Sequence, residues 1–592
     1  MGCHYDATVP TVTSLLVAFT LTPTAALGAA PVAEALPAAK AARPAVRVAY
    51  FVPTDREPIE GYVARFDRVL TEVQRFYREG MAAAGYGPVT FRLDRGAGGK
   101  LRVFVVRARS PMRSYGRNAS RAVRREVKAA LAKAGVDADK ETVVIFELLL
   151  AWEGGKATEI GPYCGGGSHM SGTAWVYDDK LLDPRQLASK KPGGYYHRPV
   201  SIGRFNTHYM GGVAHELGHG LSLPHVCERK ADRSRGRALM GGGNHTYGQE
   251  RRGEGAGTFL SAASAMLLSR TRPFAGDLPD ARTRPTCRVD ELAASFTGGV
   301  LRLTGRLTAA PPAHGIAAYN DWAKIRGDYD AVGWTCKVGR DGGFRLAVGE
   351  MRPGASQLRL LVCHTNGARS RFAFDYEVDA NGTPDLGPFR YSLRLAEAVK
   401  AYARGDRRKA EQLAKAIADG AADSEQIKRK AAHLCKLIRP GRPRKLAEIG
   451  DGVKSVPVSE LAFRSAKTGW GRPLRDQVLS GASGTCFLAV GGVFHESGLY
   501  AHAPASHVLE PGGKWKRLRG GYGLQDGHPG SVVFVLRGDG KELFRSALIR
   551  DRRLRRLDVD VSGVKVLELI VEPGADGTGS DWGVWIAPEL RR

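Results

Sequence analysis

Apolar positions along the first 150 residues alternate between two periods. Val46, Val48, Tyr50 and Val52 read as a strand that Pro53 ends, and Ile59, Tyr62, Val63, Phe66, Val69, Leu70, Val73, Phe76 and Tyr77 keep the spacing of one helix face. Short strands are predicted near 89–93 and 101–106, a basic helix over 118–134 with Val123, Val127 and Leu131 inward, and a buried strand over 142–150. Strand, helix, two strands, helix, strand is the order of an α/β layer with a mixed sheet. Gly165, Gly166 and Gly167 then read as a loop, and Thr173, Ala174, Trp175, Val176 and Tyr177 as a second short strand. A further helix is predicted to begin at Asn206 as its cap, with Met210, Val213, Ala214, Leu217 and Leu221 on its apolar face. A helix over 259–268 closes the region.

Beyond residue 284 the pattern changes. Alternating segments at 300–307, 344–348 and 358–362, with turn signals between them, predict a small β-sandwich over 285–390. Residues 391–438 are rich in Ala, Lys and Arg and read as one helical hairpin of the tetratricopeptide type. Residues 439–457 form a basic linker, and 458–592 are β-rich again.

A chain of 592 residues is too long for one core, which agrees with several domains. Its formal net charge of +28 suits acidic partners such as anionic glycans or envelope surfaces, and no nucleic-acid-binding motif accompanies it. The apolar run at 15–27, followed by Gly28, Ala29 and Ala30, resembles a secretory signal over 1–30, ahead of an Ala/Pro-rich leader at 31–45. The first basic residue, Lys40, lies past the usual place for one. Pro23 interrupts the run, which is too short for a membrane anchor, so a secreted or cell-envelope location is expected. Seven cysteines lie beyond the signal and cannot all pair; Cys164 with Cys227 and Cys336 with Cys363 are candidate bridges.

The chemistry concentrates at His215-Glu216-Leu217-Gly218-His219 and His225. Two histidines four apart share one helix face and can reach one metal ion. A third, beyond the helix end, completes a three-His set that leaves a fourth position for water, the pattern of catalytic zinc. Ala238-Leu239-Met240-Gly241 follows. Together these residues resemble the metzincin zinc peptidases, Met240 standing at the Met-turn. The resemblance implies a zincin fold for 46–284, one catalytic Zn²⁺ on His215, His219 and His225, and Glu216 as general base toward a zinc-activated water. It also makes the strand before the zinc helix, 173–177, the sheet edge that pairs with extended substrate, and makes Tyr247 a candidate stabiliser of the transition state. One residue departs from the pattern: Ser222 stands where the family has Gly, at the point where the chain turns back to the metal.

Residues 458–592, through Tyr500, His502, Trp515, Gln525-Asp526, Asp539, Asp581 and Trp582, resemble the NPCBM family of carbohydrate-binding β-sandwiches. That resemblance implies a polysaccharide or cell-wall glycan partner, with Tyr500, His502, Trp515, Asp581 and Trp582 as candidate sugar contacts. The expected protein is an exported zinc endopeptidase acting on protein or glycoprotein. The alternative is a catalytically inactive glycan-binding adhesion or scaffold protein on a zincin fold. A glycosidase is a third reading, for which no paired carboxylates can be picked out.

Overall fold

The computed structural model describes residues 43–322, 329–421, 424–479, 485–575 and 577–592. The expected signal at 1–30, and the leader as far as residue 42, lie outside them. Strand β1 (Ala45–Val52) is the hub of the first sheet, and the long helix α1 (Tyr62–Ala83) follows it. β1 pairs in parallel with β2 (Arg92–Leu93) and β3 (Val103–Arg107) on one side. After α2 (Ser120–Lys133), β4 (Thr142–Glu147) pairs with β1 on the other. α1 buries Phe66, Val69, Leu70, Val73 and Tyr77, and α2 buries Val123, Val127 and Leu131, all in one core with the sheet.

A hairpin of β5 (Leu150–Glu153) and β6 (Lys156–Glu159) precedes β7 (Cys164–Gly167) and β8 (Gly172–Tyr177). β8 runs parallel to β4 and antiparallel to β7, and the sheet order is β2-β1-β4-β8-β7. Two expectations change. Thr173, Ala174 and Trp175 pair with β4 on one side and β7 on the other, so this segment is not the sheet edge; the three glycines expected in a loop form that edge. They can do so because they lack side chains: a Cβ on Gly165 would lie 2.0 Å from the carbonyl oxygen of Glu216.

The hairpin β9 (Pro192–Tyr195) and β10 (Pro199–Ser201) leads into α3 (Ile202–Gly220), which carries the histidines. Its cap is Ser201, whose Oγ accepts from the Arg204 N–H at 3.1 Å. Asn206 is not the cap. It is buried within the helix, donating to the carbonyls of Ile202 and Leu181 and accepting from the Asp183 N–H. β11 (Arg237–Ala238), β12 (Thr258–Phe259), α4 (Ala262–Leu268) and α5 (Arg272–Ala275) complete this domain.

Next come β13 (Thr286–Thr297), β14 (Val300–Ala310), β15 (Ala313–Trp322), β16 (Val332–Lys337), β17 (Gly343–Val348), β18 (Gly354–His364) and β19 (Arg369–Val378). They form two antiparallel sheets, β13-β14-β17 and β16-β15-β18-β19, around a core of their own. This sandwich is no detached spacer: Ala317, Tyr319, Ala331 and Cys363 share one apolar core with Val213 and Met240 of the first domain.

The helical region has three helices instead of the expected two: α6 (Gly387–Ala403), α7 (Arg407–Gly420) and α8 (Glu425–Ile438). Ile427, Ala431, Leu434 and Leu437 give the third its own buried stripe. The stretch 439–457 is not a free tether either. Its strand Ser455–Pro457 pairs with the final strand Trp582–Arg591. The C-terminal module is a sandwich of a six-stranded and a five-stranded sheet. All seven described cysteines are free thiols, so neither suggested bridge forms. β15 lies between Cys336 and Cys363 and holds them two strand spacings apart, about 9–10 Å. No described helix is long and apolar enough to cross a membrane.

Candidate metal centre

α3 is braced on several sides. The Tyr77 hydroxyl of α1 donates to the Ala214 carbonyl at 2.8 Å, and the Tyr163 hydroxyl donates to the Tyr209 carbonyl at 3.1 Å. Met240 packs beneath the helix with no exposure, and a Cβ on Gly218 would meet its sulfur at 2.5 Å. The segment around Met240 therefore fits only because position 218 has no side chain.

His215, His219 and His225 offer ligand atoms that lie within 4.8 Å of one another. The Nδ1 of His215 faces the Leu239 carbonyl at 2.7 Å, and that of His219 faces the Leu223 carbonyl at 2.9 Å. Each such bond fixes the tautomer and turns Nε2 toward a shared point. The Nε2 atoms of His219 and His225 are 3.0 Å apart, close to the roughly 3.3 Å expected between donors on one tetrahedral zinc. Burial lowers the pKa of His215 to about 3, with the neighbouring His219 adding to the effect, so its imidazole is a neutral donor. Three imidazoles whose ligand atoms converge, two of them oriented by backbone carbonyls, fit Zn²⁺.

Glu216 lies next to the first ligand and is 9% exposed; burial pushes its carboxyl up to about 8. Ser222 sits at φ 70°, so the turn after α3 takes the left-handed shape expected at the position where the resembled pattern has Gly. The Ser222 N–H donates to His219 O at 2.8 Å and the Leu223 N–H to Gly218 O at 2.9 Å, a Schellman ending. A side chain in that conformation costs about 1–2 kcal/mol.

Tyr247 faces away from the metal site. It is buried against Phe76 at 5.5 Å between ring centroids, and its hydroxyl donates to Glu72 of α1 at 3.5 Å. The aromatic ring that does reach the site is Tyr329, stacked on His225 at 3.7 Å and 26°. It comes from the β-sandwich, as does Arg369, which donates to Ser222. No local pattern marks either residue, because both reach the site through tertiary packing. His208 stays outside the ligand set, with its ring stacked on Tyr196 at 3.8 Å and Nδ1 3.1 Å from that of His245.

In the C-terminal module, four of the five candidate sugar contacts gather at one end. Trp582 is half-buried, stacks on His528 at 3.8 Å and meets Tyr500 edge-on at 5.1 Å. The Tyr500 hydroxyl donates to the carbonyl of Trp470, whose own ring is 63% exposed. Tyr500, His502 and Asp581 are buried behind these rings. Trp515 is not with them: it is 1% exposed in the module core, with the Arg592 guanidinium 4.9 Å over its ring.

The fold and site together define a multidomain protein with a three-histidine centre and a carbohydrate-binding type of module at its end. Residues 454–591 match the NPCBM/NEW2 domain family. No curated protein matches the chain. Among solved structures, wild-type OgpA from Akkermansia muciniphila is 24% identical with a TM-score of 0.50, covering 58% of this chain and 96% of that one. Catalytically inactive OgpA in complex with an O-glycopeptide substrate, glycodrosocin, is likewise 24% identical with a TM-score of 0.50, covering 58% and 95%. These likenesses are of fold. A CBM51 module from a Clostridium perfringens GH95 protein, in complex with methyl-galactose, is 26% identical, covers 23% of this chain and 99% of that one, and has a TM-score of 0.21.

Proposed function

We propose that this chain is an exported zinc-dependent endopeptidase that cleaves glycosylated protein and is held to it by the C-terminal module. The observation that carries the reading is the convergence of His215, His219 and His225, with Glu216 buried beside them. The first domain is then a metzincin-like zincin. A glycoprotein substrate is supported by the OgpA fold, which has been solved with an O-glycopeptide, and by the NPCBM match at the other end of the chain. Export is supported by that match and by the apolar run at 15–27.

His215, His219 and His225 would hold the ion, and zinc bound there supplies Lewis acidity toward a carbonyl and toward water. Glu216 takes a proton from the attacking water as its oxygen bonds to the scissile carbonyl carbon. The C–N bond breaks, and Glu216 delivers the proton to the departing amine. β7, the open edge of the sheet, aligns the substrate backbone as an added strand in place of 173–177. The space around Gly166, where a Cβ would meet nothing within 4 Å, lets a chain lie close.

The test is digestion of a mixed library of glycosylated and plain peptides by the chain and by its Glu216→Ala variant. Cleavage by the parent alone, richest in glycopeptides, is expected. If neither cleaves while both bind zinc, the inert glycan-binding scaffold replaces this reading.

A further inference from the structure

His225 is held from both sides by the β-sandwich. Downstream, the Cys227 N–H donates to the Ala331 carbonyl at 2.7 Å, and Cys227 makes an isolated parallel bridge to Val332 of β16. Upstream, one guanidinium nitrogen of Arg369 donates to both oxygens of Ser222, to its backbone carbonyl and, at 3.0 Å, to its Oγ. The other terminal nitrogen donates to the Leu267 carbonyl of α4 at 3.4 Å. The acceptors are all neutral.

Arg369 is itself fixed. It opens β19 just after the β18–β19 turn, and that turn docks on the first domain. The Asn366 amide donates to the carbonyls of Asp280 and Thr283 at 2.9 and 3.0 Å. Gly367, at φ 87°, lies so close to the first domain that a Cβ would meet the Arg270 carbonyl oxygen at 2.3 Å.

Ser222 controls two ligands at once. The next residue, Leu223, supplies the carbonyl that orients His219, and His225 follows three positions after Ser222. Left to itself, a serine escapes the left-handed region, and both would move. With its carbonyl and hydroxyl gripped by one guanidinium, it stays. The Gly-to-Ser departure then has a physical sense: the hydroxyl is a handle that glycine does not offer.

We propose that Arg369 is a positioning residue of the metal centre, locking Ser222 in the left-handed turn so that His219 and His225 meet the ion. The β-sandwich is thereby half of the site. This rests on the three histidines binding metal.

The test uses the full-length chain with Arg369→Gln, Arg369→Lys, Ser222→Gly and the double variant Arg369→Gln/Ser222→Gly. Zinc affinity is read by competition with a chromophoric chelator, the ligand field from the visible absorption of the Co²⁺ form, and folding from thermal unfolding. Loss of a group that orients a ligand typically weakens metal binding about 10–100-fold. Arg369→Gln is expected to lose that much with an altered Co²⁺ spectrum, and Arg369→Lys to lose less. Ser222→Gly alone should stay within about threefold of the parent, since glycine adopts the turn without help. The decisive result is the double variant, in which glycine should restore most of the affinity and the parent spectrum. Parent affinity in both Arg369 variants overturns the proposal, and so does an equal loss with and without Ser222→Gly, which marks Arg369 as general packing. Failure of the parent itself to bind Zn²⁺ or Co²⁺ removes the metal reading instead.

Discussion

The contact between β7 and α3 can be tested with one methyl group. In Gly165→Ala the new Cβ would lie 2.0 Å from the Glu216 carbonyl oxygen and 2.9 Å from His219 Cβ. Carbon and oxygen in ordinary contact are about 3.3–3.6 Å apart, so strand and helix must separate by roughly 1.3 Å or more. Neither neighbour is the yielding end of a long side chain; one is helix backbone and the other the root of a ligand. Overpacking of this kind costs about 1–3 kcal/mol. For a domain of this size that is a fall of roughly 2–12 °C in Tm. The catalytic penalty should be larger than the stability loss implies, because a shift near 1 Å at a reaction centre costs about 10²-fold. The control is Gly166→Ala, one residue along the same strand, where a Cβ meets nothing within 4 Å. Neither glycine has a positive φ, so sterics alone distinguishes them. Thermal unfolding and kcat/KM on a cleaved peptide are measured for both. Equal Tm in the two variants would refute the placement of the glycine edge against α3; kcat/KM is compared with the parent for Gly165→Ala, since Gly166 lies where the substrate chain is proposed to run.

Three further outcomes are expected. Glu147 is fully buried, its carboxylate oxygens have no hydrogen-bond partner among the described residues, and burial holds its pKa well above 4.5, so folding favours the protonated form. Its contribution is fully present below about pH 4.5 and is lost as pH rises toward the folded pKa, by about 1.4 kcal/mol per unit, so Glu147→Gln should gain on the parent in denaturant midpoint between pH 5 and 7; a gap that does not widen with pH contradicts this. Trp582→Ala and Trp470→Ala should each abolish retention on glycan resin with Tm unchanged, whereas Trp515→Ala should destabilise the module by about 3–5 kcal/mol; sugar binding lost only with Trp515, in a folded protein, would reverse the assignment. Chelator should lower stability by RT ln(1 + [Zn]/Kd), about 2.7 kcal/mol at a hundredfold excess of zinc over Kd, read as a fall in Tm that should vanish in His219→Ala.

The sequence announces what is local and hides what is assembled. His215 and His219 stand out because a four-residue spacing becomes one helix face, and the strands and helices of the first 150 residues follow from a clear period. Gly165 to Gly167 read as a loop because three glycines carry no period. Their fitness for a strand shows only once α3 lies across them. Asn206 looks like a cap by residue type, yet Ser201 five residues earlier takes that place and Asn206 ties down the chain at Leu181 and Asp183. Tyr247 lies close to Met240 in sequence, whereas Tyr329, some hundred positions beyond His225, is the ring that touches a ligand. Ser222 shows as an oddity in the sequence, and its partner Arg369 lies 147 residues away. The third helix, α8, is missed despite its apolar stripe because a single hairpin already accounted for the composition.

The three-helix region also changes what the C-terminal module can do. At one end Phe389 enters the sandwich core, with ring centroids 5.3 Å from Phe374 and 5.0 Å from Tyr376. At the other, Cys486, Phe487 and Phe494 of the module join the core of Leu434 and Ile438. The His433 ring meets the Asp476 carbonyl at 2.7 Å, and Arg429 pairs with Glu496 at 2.8 Å. A supple leash would only raise local concentration, over a broad spread of reach. A strut packed at both ends sets one span between the Trp582 cluster and the histidines. Under the proposed function the pair would work as a caliper: of the many bonds in a decorated polypeptide, it would favour those that stand one fixed distance from a glycan.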